Sequence, residues 1–388
     1  MGDHARIALD DAPPVLLTRQ ATKLRPVPAV HLVRGREAIV AMSGMLAELC
    51  RRTGQTGNMD SLEYFLGMPV TMRKTPYLVL VGLRPGVAPA AASADDLQGA
   101  LLLHEYRFAR WGAQVFATDE RTGRRTLIAP PEIRTRVAET ACRALIERGA
   151  VAVLVTLEGG REAQRTPQGE AVEPECWMAT RTRVAPGYLP LAKTFDETLA
   201  NMGRHTRRNL RYYRRRLEAD LGVTFFPDAE IDLKTFLEVN RTSTLPIPKK
   251  AAAAQYKEMA RLTNGLLAGV RSPDGRWLSL IGGRRHEGAT EIDWQMNYAG
   301  LPRYSLSTVM RSYLLEHEIA RGTARLIFEH GTPHSMRHSF VTPTVVDILV
   351  RRRSLREWAL RRFADWIFPE QNFLRSALWD KNLVWTRW

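Results

Sequence analysis

Three cysteines in 388 residues (Cys50, Cys142 and Cys176) are too few and too scattered for a disulfide framework. No Cys-x-x-Cys pair occurs, which excludes a zinc ribbon. The apolar runs are strand-length, far below the roughly 18–20 residues that a membrane-spanning helix needs, so no integral membrane segment is expected. The opening MGDHARIALDDAPP holds no apolar signal core, and Arg6 stands where a myristoylation signal takes Ser or Thr. A reduced, cytoplasmic setting is the expectation. There is no GxxxxGK[ST], no GxGxxG and no GxSxG, so P-loop hydrolysis, dinucleotide chemistry and a nucleophile elbow have no support. Acidic residues are few: 41 Asp and Glu against 56 Lys and Arg leave a net charge of +15. That excess concerns partners and solubility rather than fold, and it favours anionic partners.

The chain is long enough for two domains. Residues 1–30 are Pro-rich and aperiodic, an N-terminal arm. Residues 31–193 read as a first domain, expected to be structural, and 194–345 as a second that holds the active site. Residues 346–388 read as an Arg- and Trp-rich helical segment. The two domains repeat one order of elements: strands, a helix, a glycine, a buried strand. Ile146-Glu147-Arg148-Gly149 before AVAVLVTLEG parallels Ile319-Ala320-Arg321-Gly322 before TARLIFEHG. Such repetition points to a duplicated α/β unit.

Between the copies lies TFDETLANMGRHTRRNLRYYRRRLEADLG. Thr194 and Glu197 form a capping box, and Gly222 ends the segment, which predicts one long helix. Leu199, Met202, Thr206, Leu210, Tyr213, Leu217 and Leu221 make its inner stripe. Arg204, Arg208, Arg211 and Arg215 share another face, where like charges repel. Three uses fit such a stripe: phosphate binding, an internal ion-pair network, or a solvated face. Arg suits phosphate because its guanidinium fork binds bidentately.

The basic helix, the hairpin-rich strands, YSLSTVMRSYLLEHEIARG and RLIFEHGTPHSMRHSF together resemble the GNAT-superfamily acyltransferases of the CelD-like type. These are similar to the Fem-type peptidyltransferases. The resemblance implies an α/β fold of two tandem GNAT-like domains, mixed and mostly antiparallel sheets flanked by helices, joined by the long basic helix. It implies an N-acyltransferase that moves an acyl group from acyl-CoA, a co-substrate rather than a tightly bound cofactor, to an amine of a sugar, amino acid or peptide. Ser305-Leu306-Ser307 stands for the family's helix-opening loop, Glu329-His330-Gly331 for its acidic-glycine strand end, and Met336 to Phe340 for its last segment. The family's pyrophosphate pattern, [RQ]-x-x-G-x-[GA], read from Arg303, meets Leu306 and Thr308 instead of small residues. Backbone N–H groups there can still face a phosphate, without glycine's close approach. Fem-like relatives, which use aminoacyl-tRNA, are similar in having no strict glycine loop.

Acyl transfer to an amine needs a base, an oxyanion site and a donor for the leaving group. Along EIDWQMNY, alternation places Ile292, Trp294, Met296 and Tyr298 on one face and Glu291, Asp293, Gln295 and Asn297 on the other. Asp293 is the first candidate base, with a solvated strand face as the plain alternative. Glu329 is the second; a salt bridge to an arginine competes with that role. His330, His334 and His338 recur every four residues, but Gly331 and Pro333 break a shared helix, so acid–base or capping roles outrank metal binding. The candidate catalytic set is Asp293, Glu329, His330 and His338, with no metal. The candidate binding set is Arg208, Arg211, Tyr298, Arg303, Ser305, Leu306, Ser307 and Thr308. Tyr304 and Tyr313 could donate protons, although core packing suits both.

Five of the nine tryptophans fall after residue 357, among arginines. The stripe Leu355, Trp358, Ala359, Phe363 and Trp366 is expected to dock on its own domain, with membrane-surface contact as the alternative. Two other functions stay open: a Fem-like aminoacyl-tRNA-dependent transferase, and a non-catalytic module that binds anionic polymers or a membrane surface.

Overall fold

The computed structural model describes residues 29–55, 62, 65–66, 74–84, 86–108, 113–118, 126–158, 176–184, 187–286, 288–328, 332–362 and 383–388. Runs rich in Leu, Val and Ile form strands buried along much of their length, and these assemble into two mixed sheets. The first contains β1 (Val30–Arg34), β2 (Lys74–Val81), β3 (Gly99–Phe108), β4 (Ala113–Ala117), β6 (Ala152–Glu158), β14 (Thr344–Arg352), β7 (Cys176–Val184) and β15 (Thr386–Arg387) in spatial order; β5 (Leu127–Ile128) pairs with β3. The second runs β8 (Tyr188–Pro190), β13 (Arg325–Phe328), β12 (Ala289–Asn297), β11 (Trp277–His286), β10 (Gly265–Arg271) and β9 (Thr224–Phe226).

The duplication is visible in the topology. β2, β3 and β4 are antiparallel neighbours; α3 (Arg134–Glu147) follows, and β6 returns parallel to β4. In the second half β10, β11 and β12 are antiparallel neighbours; α8 (Leu306–Ala320) follows, and β13 returns parallel to β12. Even the helix ends agree. Gly149 (φ 101°) and Gly322 (φ 81°) both take a positive φ that suits glycine. Their N–H groups donate to Ile146 and Ile319, and the next residues, Ala150 and Thr323, donate to Leu145 and Glu318. Both are Schellman closures, which satisfy the last carbonyls of each helix.

The sheets do not divide at residues 193 and 345. β14 follows the second half in sequence, yet it lies between β6 and β7 of the first sheet. β8 precedes the second half and pairs with its β13. Each sheet is completed by a strand from across the expected boundary. Residues 346–352, expected within a helical segment, are therefore strand; their Val, Ile and Leu side chains fill the first core.

The expected single basic helix is two. Thr194 and Glu197 do form the capping box, with bonds of 3.2 Å each way, but the helix they open, α4 (Phe195–Ala200), stops before Gly203. Gly203, extended at ψ 147°, starts α5 (Arg204–Leu221), which ends at left-handed Gly222. Leu199, Met202, Leu210 and Leu217 are buried against α8, as their spacing implied. The opposite face of the second sheet is covered by α6 (Leu233–Arg241) and α7 (Lys249–Met259), through Phe236, Val239 and Ala252.

In the first half, α1 (Arg36–Val40) and α2 (Ser43–Arg52) pack on the face of the sheet away from α3. Near the C-terminus, α9 (Leu355–Arg362) corrects a second expectation. Leu355 and Trp358 are 86% and 61% exposed, and Leu360 is the residue that docks. Phe363 and Trp366 lie outside the described residues. Trp388 is buried beneath the Arg143 guanidinium, 5.1 Å from the ring centre.

Candidate active site

The last described pair of the parallel β12–β13 ladder is Ile292 opposite Phe328. There β12 changes character. Gly282 of β11 faces Trp294 and Gly283 faces Ile292, which leaves Asp293 as the extra residue of a β-bulge. Only glycines fit opposite it: the Trp294 ring occupies the place of a Cβ at Gly282, and the Glu291 carbonyl does so at Gly283.

The bulge overturns the simple alternation expected along this strand. Ile292 packs with Leu306, Val309 and Met310 under α8, whereas Trp294 and Met296 pack with Phe236 on the opposite face. Glu291 does not join Gln295 and Asn297. It is 3% exposed and forms a buried ion pair with Arg284, which is 1% exposed. Gln295 and Asn297 do share the α8 side: the Gln295 amide donates to the Ser307 carbonyl (3.4 Å) and to Asn297 Oδ1 (3.1 Å). Ser279 Oγ also donates to Asn297 Oδ1, at 2.9 Å.

Past Ile292, no described residue on the side away from β11 pairs with β12 until Asn297. The next outer neighbour is the segment after α6, where Thr244 N–H donates to the Asn297 carbonyl and Ser243 bridges Tyr298. Tyr298 N–H points the other way, to Leu278 of β11. The alternation of an antiparallel ladder therefore turns the N–H and C=O of Gln295 outward, between the two neighbours.

The start of α8 lies beside that stretch. Ser305, with φ 48° and ψ 57°, is the one non-glycine residue with positive φ among the described residues. A left-handed residue other than glycine is disfavoured by about 1–2 kcal/mol. The loop without glycines thus takes a glycine-like turn. Thr308 and Val309 N–H groups both donate to the Ser305 carbonyl. The N–H groups of Leu306 and Ser307 belong to the first turn, where helix geometry supplies no acceptor.

A directed chain of hydrogen bonds supports this turn. Met336 N–H donates to His334 Nδ1 at 3.2 Å, so a neutral imidazole carries its proton on Nε2. Nε2 lies 3.1 Å from Thr308 Oγ1, which lies 2.8 Å from Ser305 Oγ. Thr308 then accepts from His334 and donates to Ser305, leaving the Ser305 hydrogen to donate elsewhere. Burial, reinforced by the nearby Arg311 charge, pushes the His334 pKa down to about 4, which keeps the ring neutral.

The other expected residues are dispersed. Glu329 and His330 lie outside the described residues. His338 is exposed in the short 3-10 turn Ser335–Ser339. Arg208 is exposed, and Arg211 binds Asp196 at 2.6 Å. Arg214 and Arg216, off the expected stripe, pair with Glu218, Glu316 and Asp220. The Tyr298 hydroxyl accepts from Arg276 (2.9 Å), and Arg303 donates to the Tyr304 hydroxyl (3.2 Å). Leu306 is buried in the core. Tyr304 and Tyr313 donate to Asp220 and Glu218 of α5, which ties α8 to α5. His334 and Gln295 stand at the site without having been in the candidate set. The Gly282-Gly283 pair inside a strand was the signal for the bulge.

Among the described residues, the first half shows no matching free N–H groups at its helix start. Gln55 takes up the Ala129 N–H, and Pro130 and Pro131 have none to offer.

No family model and no curated protein matches this chain. Solved structures do. FemX aligns with a TM-score of 0.45 at 12% identity, over 70% of this chain and 87% of that one. A tandem GNAT protein from the clavulanic acid biosynthesis pathway aligns with a TM-score of 0.43 at 10% identity, over 84% and 98%. L-PGS from Bacillus licheniformis aligns with a TM-score of 0.41 at 14% identity, over 66% and 82%.

Proposed function

We propose that the second half is an N-acyltransferase that takes its acyl group from an acyl-CoA and delivers it to an amine. The observation that carries this reading is the stretch of β12 edge that no described residue covers, beside a helix start turned by Ser305. An extended donor arm with amide groups could pair with the outward N–H and C=O of Gln295, as an added strand does. Its diphosphate would meet the Leu306 and Ser307 N–H groups, with the Ser305 hydroxyl beside them. Asp293, the next residue after the last described β12–β13 pair, would take the ammonium proton, directly or through water. The freed amine then attacks the thioester carbonyl carbon; the C–N bond forms, the C–S bond breaks, and the thiolate leaves as CoA. Release of free thiol from acetyl-CoA, assayed with a panel of amines, tests this. Asp293→Asn should lower turnover at least tenfold with donor binding retained.

A second reading, a Fem-like transferase using aminoacyl-tRNA, is favoured by one feature. Arg204, Arg208 and Arg215 are exposed along α5 and have no carboxylate partner among the described residues. Charging of the same amines from aminoacyl-tRNA but not from acyl-CoA would select it.

A further inference from the structure

Six charged side chains among the described residues are more than nine-tenths buried: Glu105, Arg284, Glu291, Arg311, Glu318 and Asp347. Five have an ion partner. Glu105 is held by Arg107, Arg284 by Glu291, Glu318 by Arg285, and Asp347 by Arg181 and Arg183. Arg311 is the exception. It is 8% exposed, no described carboxylate reaches it, and its Nε has no hydrogen-bond partner. Next to it in the chain, Ser312 is wholly buried, and its hydroxyl also has no partner.

A buried charge without a counter-ion is strongly unfavourable, and natural interiors rarely tolerate one. The Phe328 ring, 5.1 Å from the guanidinium carbon, supplies only a weak cation–π contact. Desolvation lowers the Arg311 pKa to about 10, which leaves it charged at neutral pH. The position is informative. Arg311 lies one turn beyond Thr308 on the same flank of α8, beside Phe328, the last described residue of β13, and near enough to His334 to depress its pKa.

We propose that Arg311 anchors an oxyanion, a carboxylate or phosphate, carried by the acyl acceptor and bound between Phe328 and His334. Its assignment to the acceptor rests on the transferase reading, in which the first amides of α8 serve the donor diphosphate. The acceptor is then an amine that also bears an acidic group, such as an amino acid or a phosphorylated amine.

The test uses the full chain, with inorganic phosphate and acetate as probes against chloride at equal ionic strength. Either probe should move the His334 imidazole resonance saturably and raise the melting temperature; the tighter probe identifies the group. Arg311→Met should remove both responses. Without any anion it should melt above the wild type, because an apolar side chain of similar length replaces an unpaired charge. If Arg311→Met fails to fold, Arg311→Lys keeps the charge but not the fork and should bind at least tenfold more weakly.

Three results would overturn the proposal: no saturable response in the wild type, a response unchanged in the variants, or a folded Arg311→Met that melts well below the wild type. The second would place the anion on exposed arginines such as those of α5; the third would mean that Arg311 has a partner within the protein. Phosphate binding through Arg311 without any acyl transfer would leave the anion site standing and remove the transferase reading. Acyl transfer to amino acids with an unchanged KM in Arg311→Met would do the reverse.

Discussion

Thr308 Oγ1 and His334 Nε2 lie 3.1 Å apart, and this one contact joins the first turn of α8 to the segment that follows β13. The start of α8 and the described segment around His334 are thereby held together through a neutral imidazole. Protonation would remove nothing from Nε2, which already donates, but it would destroy the acceptor at Nδ1 that Met336 N–H uses. The turn at Ser305 is therefore coupled to the charge state of a histidine.

Stability should follow that charge state. The folded-state pKa of His334 is about 4, below the ordinary 6.5, so the unfolded chain takes up the proton first. The contribution is complete above about pH 6.5 and falls as pH drops towards 4; after allowance for partial exposure it amounts to about 2 kcal/mol. Denaturant unfolding of wild type and His334→Gln across this range checks it. The difference between the two should narrow as pH falls, and parallel curves would contradict it.

The left-handed backbone at Ser305 gives a second prediction. Ser305→Gly and Ser305→Ala both lose the hydroxyl that meets Thr308, and only glycine relaxes at this φ. The glycine variant should be the more stable of the two by about 1 kcal/mol. Equal unfolding midpoints would mean that the turn relaxes without strain.

The buried Arg284–Glu291 pair braces the strands just before the bulge. Glu291→Ala leaves a buried guanidinium and should cost about 3–5 kcal/mol, whereas replacing both partners by apolar residues should cost much less. A double-mutant cycle in urea reads the difference.

Tyr313 donates to Glu218 at 2.6 Å and Tyr304 to Asp220 at 3.0 Å, so α8 is tied twice to α5. Burial and the Glu218 carboxylate raise the Tyr313 pKa, and its hydroxyl stays protonated. Tyr313→Phe should lose about 1.5–3 kcal/mol of stability, as expected for a hydrogen bond to a charged acceptor. If Tyr313 were instead the proton donor of the reaction, turnover would fall far more than stability.

Local chemistry made much of this architecture readable from the chain. The Thr194–Glu197 box, the matched closures at Gly149 and Gly322, and the stop at Gly222 each involve residues within a few positions of one another. What escaped reading is non-local. The place of β14 between β6 and β7 depends on pairing across more than a hundred residues. The face switch at Asp293 depends on two glycines in the neighbouring strand. Arg311 sits in a helical pattern where arginine ordinarily reads as surface, and only packing shows it buried.

The most direct test of the central claim is thermal unfolding with and without a series of acyl-CoAs, with heparin and tRNA as charge controls. A ligand that binds only the native state at about 100 times its dissociation constant stabilises by about 2.7 kcal/mol. Donor binding along β12 predicts a shift with an acyl-CoA that survives moderate salt and shrinks when Ser305 is replaced by Pro. No shift with any acyl-CoA, beside a salt-sensitive shift common to heparin and tRNA, would contradict it.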